Sequence, residues 1–358
     1  MSNYVEYKDE IAFHPGYYIQ EILEANRWTQ EDFAKRLGTT PKNLSRLING
    51  KQRLSDDMAS KLARMLNTSE GYWLNLQTAY DTLIAKFKSD EELQKEQEIF
   101  KHIRYKYFVD HFHLPKLPRK IDEQIAQVRN LLHVSSLSIL AEKDCAVNFR
   151  SAGNTLSEAN TVRANLMVLL ATNRALKIEA PPFDKRKFEK AVQYALTLTR
   201  KHDEFFPLLR KAFLDAGVIL IILPNMPGSK VNGATKKINS QRMLMVNDRR
   251  LFSDTFWFTL FHEIGHIMYG NYGASFEEET GDEEQKADQY ASDQLIPPEK
   301  YREFIAGRKF SMESILSFAE EIDRDPAIVL GRLQNDGYVR YNNRQFSALR
   351  HRYTVKIA

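Results

Sequence analysis

The stretch Phe256-Trp257-Phe258-Thr259-Leu260-Phe261-His262-Glu263-Ile264-Gly265-His266-Ile267-Met268 constrains this chain more than any other. It is apolar enough to demand burial, yet it carries two histidines and a glutamate that cannot be buried cheaply without partners. On a helix, residues four apart share one face. His262 and His266 can therefore bind one metal ion through imidazole nitrogen, with Glu263 beside that ion, placed to take a proton from water. Zinc suits such a site, and an open position on it lowers the pKa of its water to about 7. Manganese or iron fit the same ligands less well. Small Gly265 lets another element approach the helix closely. The bland alternative is a core helix with stray polar residues.

Two histidines do not make a site, so a third ligand is needed. The segment Glu284-Gln285-Lys286-Ala287-Asp288-Gln289-Tyr290-Ala291 is helical in character, and Glu284 and Asp288 lie four apart on one face. Glu284 can complete a set of two histidines and one carboxylate, and Asp288 can accept an N–H from a ligating imidazole. Glu277, Glu278, Glu279, Asp282 and Glu283 crowd the same region, and such a run is usually a solvated loop. A register one residue earlier, at Glu283, stays open.

A chain of 358 residues exceeds what one hydrophobic core serves, so two or three domains are expected. No apolar run reaches the roughly 20 residues that cross a bilayer, and the first ten residues lack a basic region followed by an apolar core. A single cysteine, Cys145, excludes an internal disulfide and a cysteine-built zinc site, and is expected to be a small buried residue. The expected setting is reduced and cytoplasmic, with no membrane partner. The net charge of +4 decides nothing, but basic residues gather at 42–53, at 101–120 and in the C-terminal segment (Arg344, Arg350, Arg352, Lys356).

The first eighty residues show apolar positions at helical spacing. Ile19, Ile22 and Leu23 mark a first helix after His14-Pro15-Gly16. Thr29 caps a second that buries Phe33, Ala34 and Leu37 and ends at Gly38. Thr40 caps a third, with Pro41 at its first position and Leu44, Leu47 and Ile48 inward, stopping at Asn49-Gly50. Ser55 starts a fourth, and a fifth begins near Ser69. Two short helices joined by a tight turn fit helix-turn-helix geometry, in which the third helix enters the major groove. Its outward residues Thr40, Lys42, Asn43, Ser45 and Arg46 are candidates to reach bases, with Asn suited to adenine and Arg or Lys to guanine. Gln30, Lys51 and Arg53 are candidates for phosphate. A helical docking module with a solvated polar face fits the periodicity equally well.

The wording of two segments resembles known families. Residues 14 to about 80, from HPGYYIQEIL through TQEDFAKRLGTT and NGKQR to SEGYWLNLQ, resemble HigA-type antitoxins of the XRE helix-turn-helix class. That resemblance implies a homodimer on palindromic operator DNA, often its own promoter. FWFTLFHEIGHIMYG followed by EEQKADQYASDQLIPPE resembles the ImmA/IrrE metallopeptidases over roughly 205–300, which implies zinc on His262, His266 and Glu284. Lys286 departs from that pattern, where many members carry a second acid, as does Gln294-Leu295-Ile296-Pro297 in place of Leu-Leu-Met-Pro. Neither change touches an expected ligand.

The expected fold is mainly α with a small β-sheet (α+β). A five-helix helix-turn-helix domain occupies 1–80, a helical middle region 81–200, a zincin-like metallopeptidase domain 201–335, and a basic, solvated tail 336–358. In the middle, Lys86–Lys101 reads as a solvated linker helix, and Tyr105–His113 as core packing with a wet edge. Gly217–Leu223, Gly233–Thr235 and Gln241–Val246 read as strands ahead of the metal helix. Together these features suggest a repressor or antitoxin carrying its own zinc endopeptidase, which cuts itself or a partner protein to relieve repression. The competing reading is a non-catalytic antitoxin that neutralises a HigB-like toxin ribonuclease, its zinc domain structural or sensory.

Overall fold

The computed structural model describes residues 3–142, 157–247, 252–276 and 281–353. Cys145, Glu277, Glu278, Glu279 and Lys356 lie outside these residues. The architecture is α+β, mostly helical with a small mixed sheet. The chain divides into two compact units, Met1–Lys95 and Glu96–Ala358.

The first unit begins with a hairpin of β1 (Tyr4–Tyr7) and β2 (Glu10–Phe13), in antiparallel register Tyr4↔Phe13. Five helices follow: α1 (Pro15–Ala25), α2 (Gln30–Leu37), α3 (Pro41–Ile48), α4 (Asp56–Leu66) and α5 (Glu70–Phe100), the last containing the boundary between the units. Their starts are written locally. Thr29, Thr40 and Ser55 accept the backbone N–H groups of Asp32, Asn43 and Met58, and Gly38 ends α2 in the left-handed region at φ 66°. Ile19, Phe33, Leu44, Leu47, Leu62 and Trp73 form one core. The hairpin packs on α5 through Tyr7 against Phe87 and a Lys86–Glu10 ion pair at 2.6 Å. It was not expected from sequence, because four-residue strands are too short for alternation to stand out.

The His14-Pro15-Gly16 opening has a purely structural explanation. His14 Nδ1 accepts the Gly16 N–H at 3.0 Å, capping α1, and Pro15 takes the first helical position. A Cβ on Gly16 would overlap the Leu47 carbonyl oxygen and sit 2.6 Å from that of Ile48, so glycine is what lets α1 meet α3.

The second unit carries α6 (Tyr105–Phe112), α7 (Ile121–Leu132), a 3-10 turn at Leu137–Ala141, α8 (Glu158–Ala175), α9 (Lys185–Thr197) and α10 (Phe205–Asp215). Next come β3 (Val218–Leu223), β4 (Val231–Ile238), β5 (Gln241–Asn247), α11 (Ser253–Tyr269), β6 (Gly273–Phe276) and α12 (Asp282–Leu295). Helices α13 (Pro298–Ala306), α14 (Met312–Glu321) and α15 (Pro326–Asn335) and a 3-10 turn at Arg344–Leu349 follow. Strand order is β3-β5-β4-β6, with β3 parallel to β5 and the other pairs antiparallel. β3 is buried almost throughout instead of alternating, as in a sheet covered on both faces, and α8 and α11 both pack on this sheet.

Two expectations are corrected in this unit. The run Lys86–Lys101 is not uniformly solvated. Ile99 and Phe100 are buried, and Glu96, only 1% exposed, pairs with Arg129 at 3.3 Å and accepts the Leu137 N–H at 2.7 Å. Nor is the C-terminal segment a solvated tail. Phe346 and Leu349 enter the core, and Arg350 pairs with Asp254 at 2.9 Å and donates to Gln334. His351 stacks on His202 with ring centroids 3.6 Å apart, and Trp257 Nε1 donates to Tyr353 Oη. Burial pushes the Asp254 carboxyl up, and Arg350 works against that shift. Tyr107 and Phe108 of α6 are core residues, as expected, with the Tyr107 hydroxyl donating to the Pro224 carbonyl.

Burial holds the His14 pKa below its usual 6.5, although Asp81 and a backbone hydrogen bond at Gln52 pull it upward. A lowered folded pKa means the neutral ring belongs to the folded state. Its contribution is intact above pH 6.5 and is lost as pH falls below that value. Protection factors of the α1 amides should therefore drop on acidification from pH 7 toward 5.5. In His14→Asn, which keeps a cap acceptor without a titrating ring, that drop should be smaller.

Candidate metal centre and helix-turn-helix surface

Helix α11 buries Trp257, Leu260, Phe261, Ile264 and Ile267, so the burial expected from its apolar run is met on several sides. Its two histidines face α12. The close approach depends on Gly265, where a Cβ would lie 3.2 Å from Ala287 Cα and 3.3 Å from Tyr290 Cβ. Glu284, in the first turn of α12, is 6% exposed and faces the two histidines, while Glu283 is exposed; of the two candidate registers, the structure brings Glu284 to the histidines. Its place at a helix N-terminus also suits a carboxylate.

His262 Nε2 lies 3.0 Å from His266 Nε2 and 3.0 Å from Glu284 Oε2, and His266 Nε2 lies 3.4 Å from Glu284 Oε1. Ligand atoms held about 2 Å from a tetrahedral zinc are about 3.3 Å apart, so the three side chains fit such an ion. Among the described residues, they form the one cluster of three or more such side chains able to hold a metal. Asp288 Oδ1 sits 2.7 Å from His262 Nδ1. With Nδ1 donating to that carboxylate, Nε2 is the nitrogen that faces the cluster, where an ion would displace its proton.

The charge balance of the cluster attracts a cation. Burial opposes a charged His262 ring, but Asp288 and Glu284, joined by Glu263, outweigh it and hold the imidazole up at about 10. Burial also works to raise the Glu284 carboxyl, and the two histidines overcome it and hold that group well below the usual carboxylate range. Glu263 has no exposed surface, and neither of its oxygens has a hydrogen-bond partner among the described residues. Its side chain lies against Gly233 of β4, a contact the sequence reading did not foresee. An isolated glycine in a strand pattern is the signal that was available. Lys286 is exposed, and Gln294 accepts from Gln193 at 3.1 Å, so neither departure from the resembled pattern enters the cluster.

On the first unit, α3 presents Lys42 and Arg46 to solvent, and Gln30 and Lys51 are also exposed. Other expected contacts are already engaged. Asn43 Nδ2 donates to Thr39 Oγ1 at 3.0 Å, and its Oδ1 accepts from Gln52 at 2.6 Å, so both ends of the carboxamide brace the turn instead of standing free for adenine. Arg53 pairs with Asp81 at 2.7 Å but stays largely exposed, a weak surface pair that it can exchange. Ser45 is half-buried with its carbonyl taken by Asn49 Nδ2, and Thr40 is the α3 cap.

Comparison with known proteins gives two matched regions. Residues 19–73 match the helix-turn-helix family model, and residues 218–322 match the Peptidase M78 model, described as the IrrE N-terminal-like domain. An uncharacterized HTH-type transcriptional regulator of Escherichia coli K12, YddM, is 39% identical over 66 residues, covering 18% of this chain and 70% of that protein. Virulence-associated protein A' of Dichelobacter nodosus is 39% identical over 69 residues, 19% of this chain and 60% of that one. Among solved structures, a putative antidote protein of a plasmid maintenance system from Nostoc punctiforme is 32% identical. It has a TM-score of 0.23, covering 23% of this chain and 90% of its own. A HigA-family addiction module antidote protein from Coxiella burnetii is 30% identical at a TM-score of 0.22, covering 24% and 92%.

The geometry predicts a graded response in metal analysis of the purified protein. His262→Ala, His266→Ala or Glu284→Ala should abolish stoichiometric metal. Asp288→Asn should keep the site but weaken affinity by roughly 10–100-fold, as measured by competition with a chelator. Unchanged affinity in Asp288→Asn would remove that carboxylate from the site.

Proposed function

The chain belongs to the helix-turn-helix transcriptional regulators and carries an IrrE-like Peptidase M78 domain behind that module, and on this premise we propose that it is a repressor equipped with a zinc-dependent endopeptidase. The observation that carries the reading is the buried group of His262, His266 and Glu284 with Glu263 beside it. In this reading the N-terminal module, within 1–80, holds operator DNA as a homodimer, and the domain spanning 201–335 cuts this chain or a partner repressor to lift repression. The protein acts in the cytoplasm. No helix among the described residues is long and apolar enough to cross a membrane.

His262, His266 and Glu284 would hold the zinc, and Asp288 would fix the His262 ring. Zinc there supplies Lewis acidity, polarising a peptide carbonyl and easing the deprotonation of water. Glu263 takes the proton from the attacking water at a carboxylate oxygen and returns it to the leaving amide nitrogen as the C–N bond breaks. The buried apolar residues of α11 keep bulk water from Glu263 and fix its angle of approach. On the DNA side, Arg46 and Lys42 reach base edges and Gln30 and Lys51 lie along phosphate. Thr40 and Ser45 contribute at the edge of that surface, and Asn43 and Arg53 join only by exchanging their present partners.

A second reading is favoured by the names of the solved relatives, both antidote proteins at 30–32% identity. In it the N-terminal module neutralises a HigB-like toxin, and the zinc domain is structural or sensory.

Zinc content measured together with loss of full-length chain separates the two. The wild type should carry about one zinc per chain and lose intact chain, or cut a co-expressed repressor. Glu263→Gln should keep the zinc and slow cleavage by roughly 10²–10⁴-fold. Cleavage at the wild-type rate in that variant would end the peptidase reading. For the DNA half, Arg46→Ala should weaken binding to the promoter DNA of its own gene by about 1–3 kcal/mol. Unchanged affinity would remove α3 from the base-reading position.

A further inference from the structure

The contact between Glu263 and β4 is tighter than any side chain at position 233 would allow. A Cβ built on Gly233 would fall 2.6 Å from Glu263 Cγ and 2.7 Å from its Cδ, and closer still to Oε1; its three nearest neighbours all belong to that one side chain. The backbone gives no other reason for glycine here. Gly233 is not among the glycines with positive φ, and glycine within a strand forfeits roughly 0.5–1 kcal/mol relative to alanine. The pairing of β4 with β6 also slips at this point, from Val231↔Phe276 to Gly233↔Ser275, so that Asn232 forms a bulge. Bulges bend a strand and are used beside active sites to re-aim what the strand presents.

We infer that Gly233 is a positioning residue for Glu263: the bend of β4, with no Cβ on its inner side, is the seat that sets this carboxylate beside the two histidines. An alanine would leave the strand's own conformation intact but place a methyl group where the glutamate stem now lies. Ordinary carbon–carbon contact is about 3.5–4.0 Å, so the stem must retreat by about 1 Å. A misplacement of that size can cost on the order of 10²-fold in rate. The catalytic part of this inference rests on Glu263 acting as the base, as proposed above, whereas the contact itself does not.

The test is a thermodynamic cycle on the full-length protein with Gly233→Ala, Glu263→Ala and the double variant. Bound zinc, the thermal midpoint of the metal-free form and the rate of chain cleavage are read in each. Gly233→Ala should lower the midpoint by about 2–4 °C in the wild-type background and leave it unchanged or raised in the Glu263→Ala background. Zinc stoichiometry should hold, and cleavage should slow about 100-fold. An equal drop in both backgrounds would assign the glycine to the strand and overturn the inference. Wild-type cleavage by zinc-loaded Gly233→Ala would overturn its catalytic part. If the wild type itself cuts nothing, the peptidase reading fails, and the thermal cycle still decides the contact.

Discussion

Much that is distinctive about the second unit follows from one costly act, the burial of His266, Glu263 and Glu284 among apolar side chains, with His262 half-buried at their edge. An ionised group in such surroundings is tolerated only with charge and hydrogen-bond partners supplied at close range. Helix α11 has no carboxylate of its own against the two imidazole nitrogens that face each other. Helix α12 brings Glu284 and Asp288, and at residue 265 a side chain would press on Ala287 and Tyr290 of that helix. Strand β4 closes the remaining side and accommodates Glu263 through a second missing side chain at 233. The two glycines are thus complementary: one sets the distance between helices, the other the distance between helix and sheet.

What could be read from sequence was what is local. Thr29, Thr40 and Ser55 cap the helices they were expected to cap, because the capping hydrogen bond spans only three residues. His262 and His266 share a face for the same reason, and Glu284 with Asp288 likewise. Partnerships nine or more residues apart left no periodic trace. Arg53 pairs with Asp81 and Asn43 with Gln52, partners that helical spacing alone does not reveal. Residues 344–353 look solvated because their basic residues dominate composition, yet Arg350 finds a buried carboxylate in Asp254. Short elements escaped too: β1, β2 and β6 have four residues each, below the length at which alternation is informative.

The two units solve different physical problems. The first is a small helical core that keeps its polar chemistry on the surface, where Lys42 and Arg46 remain solvated and available. The second keeps its polar chemistry inside, where a low local dielectric strengthens every interaction and penalises each unpaired atom. Surface chemistry tolerates substitution with small changes in stability, whereas the interior cluster links stability to ligand identity.

The clasp formed by residues 350–353 on the N-terminal half of α11 also orders events in time. Trp257 and Tyr353 are 96 residues apart, and ribosomes add about 5–20 residues per second. Helix α11 is therefore synthesised several seconds before the residues that pair with Asp254 and cap Trp257. During that interval Asp254 has no guanidinium and the aromatic flank of the helix is uncovered. The packing around the helix that carries the two histidines is thus completed only after the helix-turn-helix unit has had time to form.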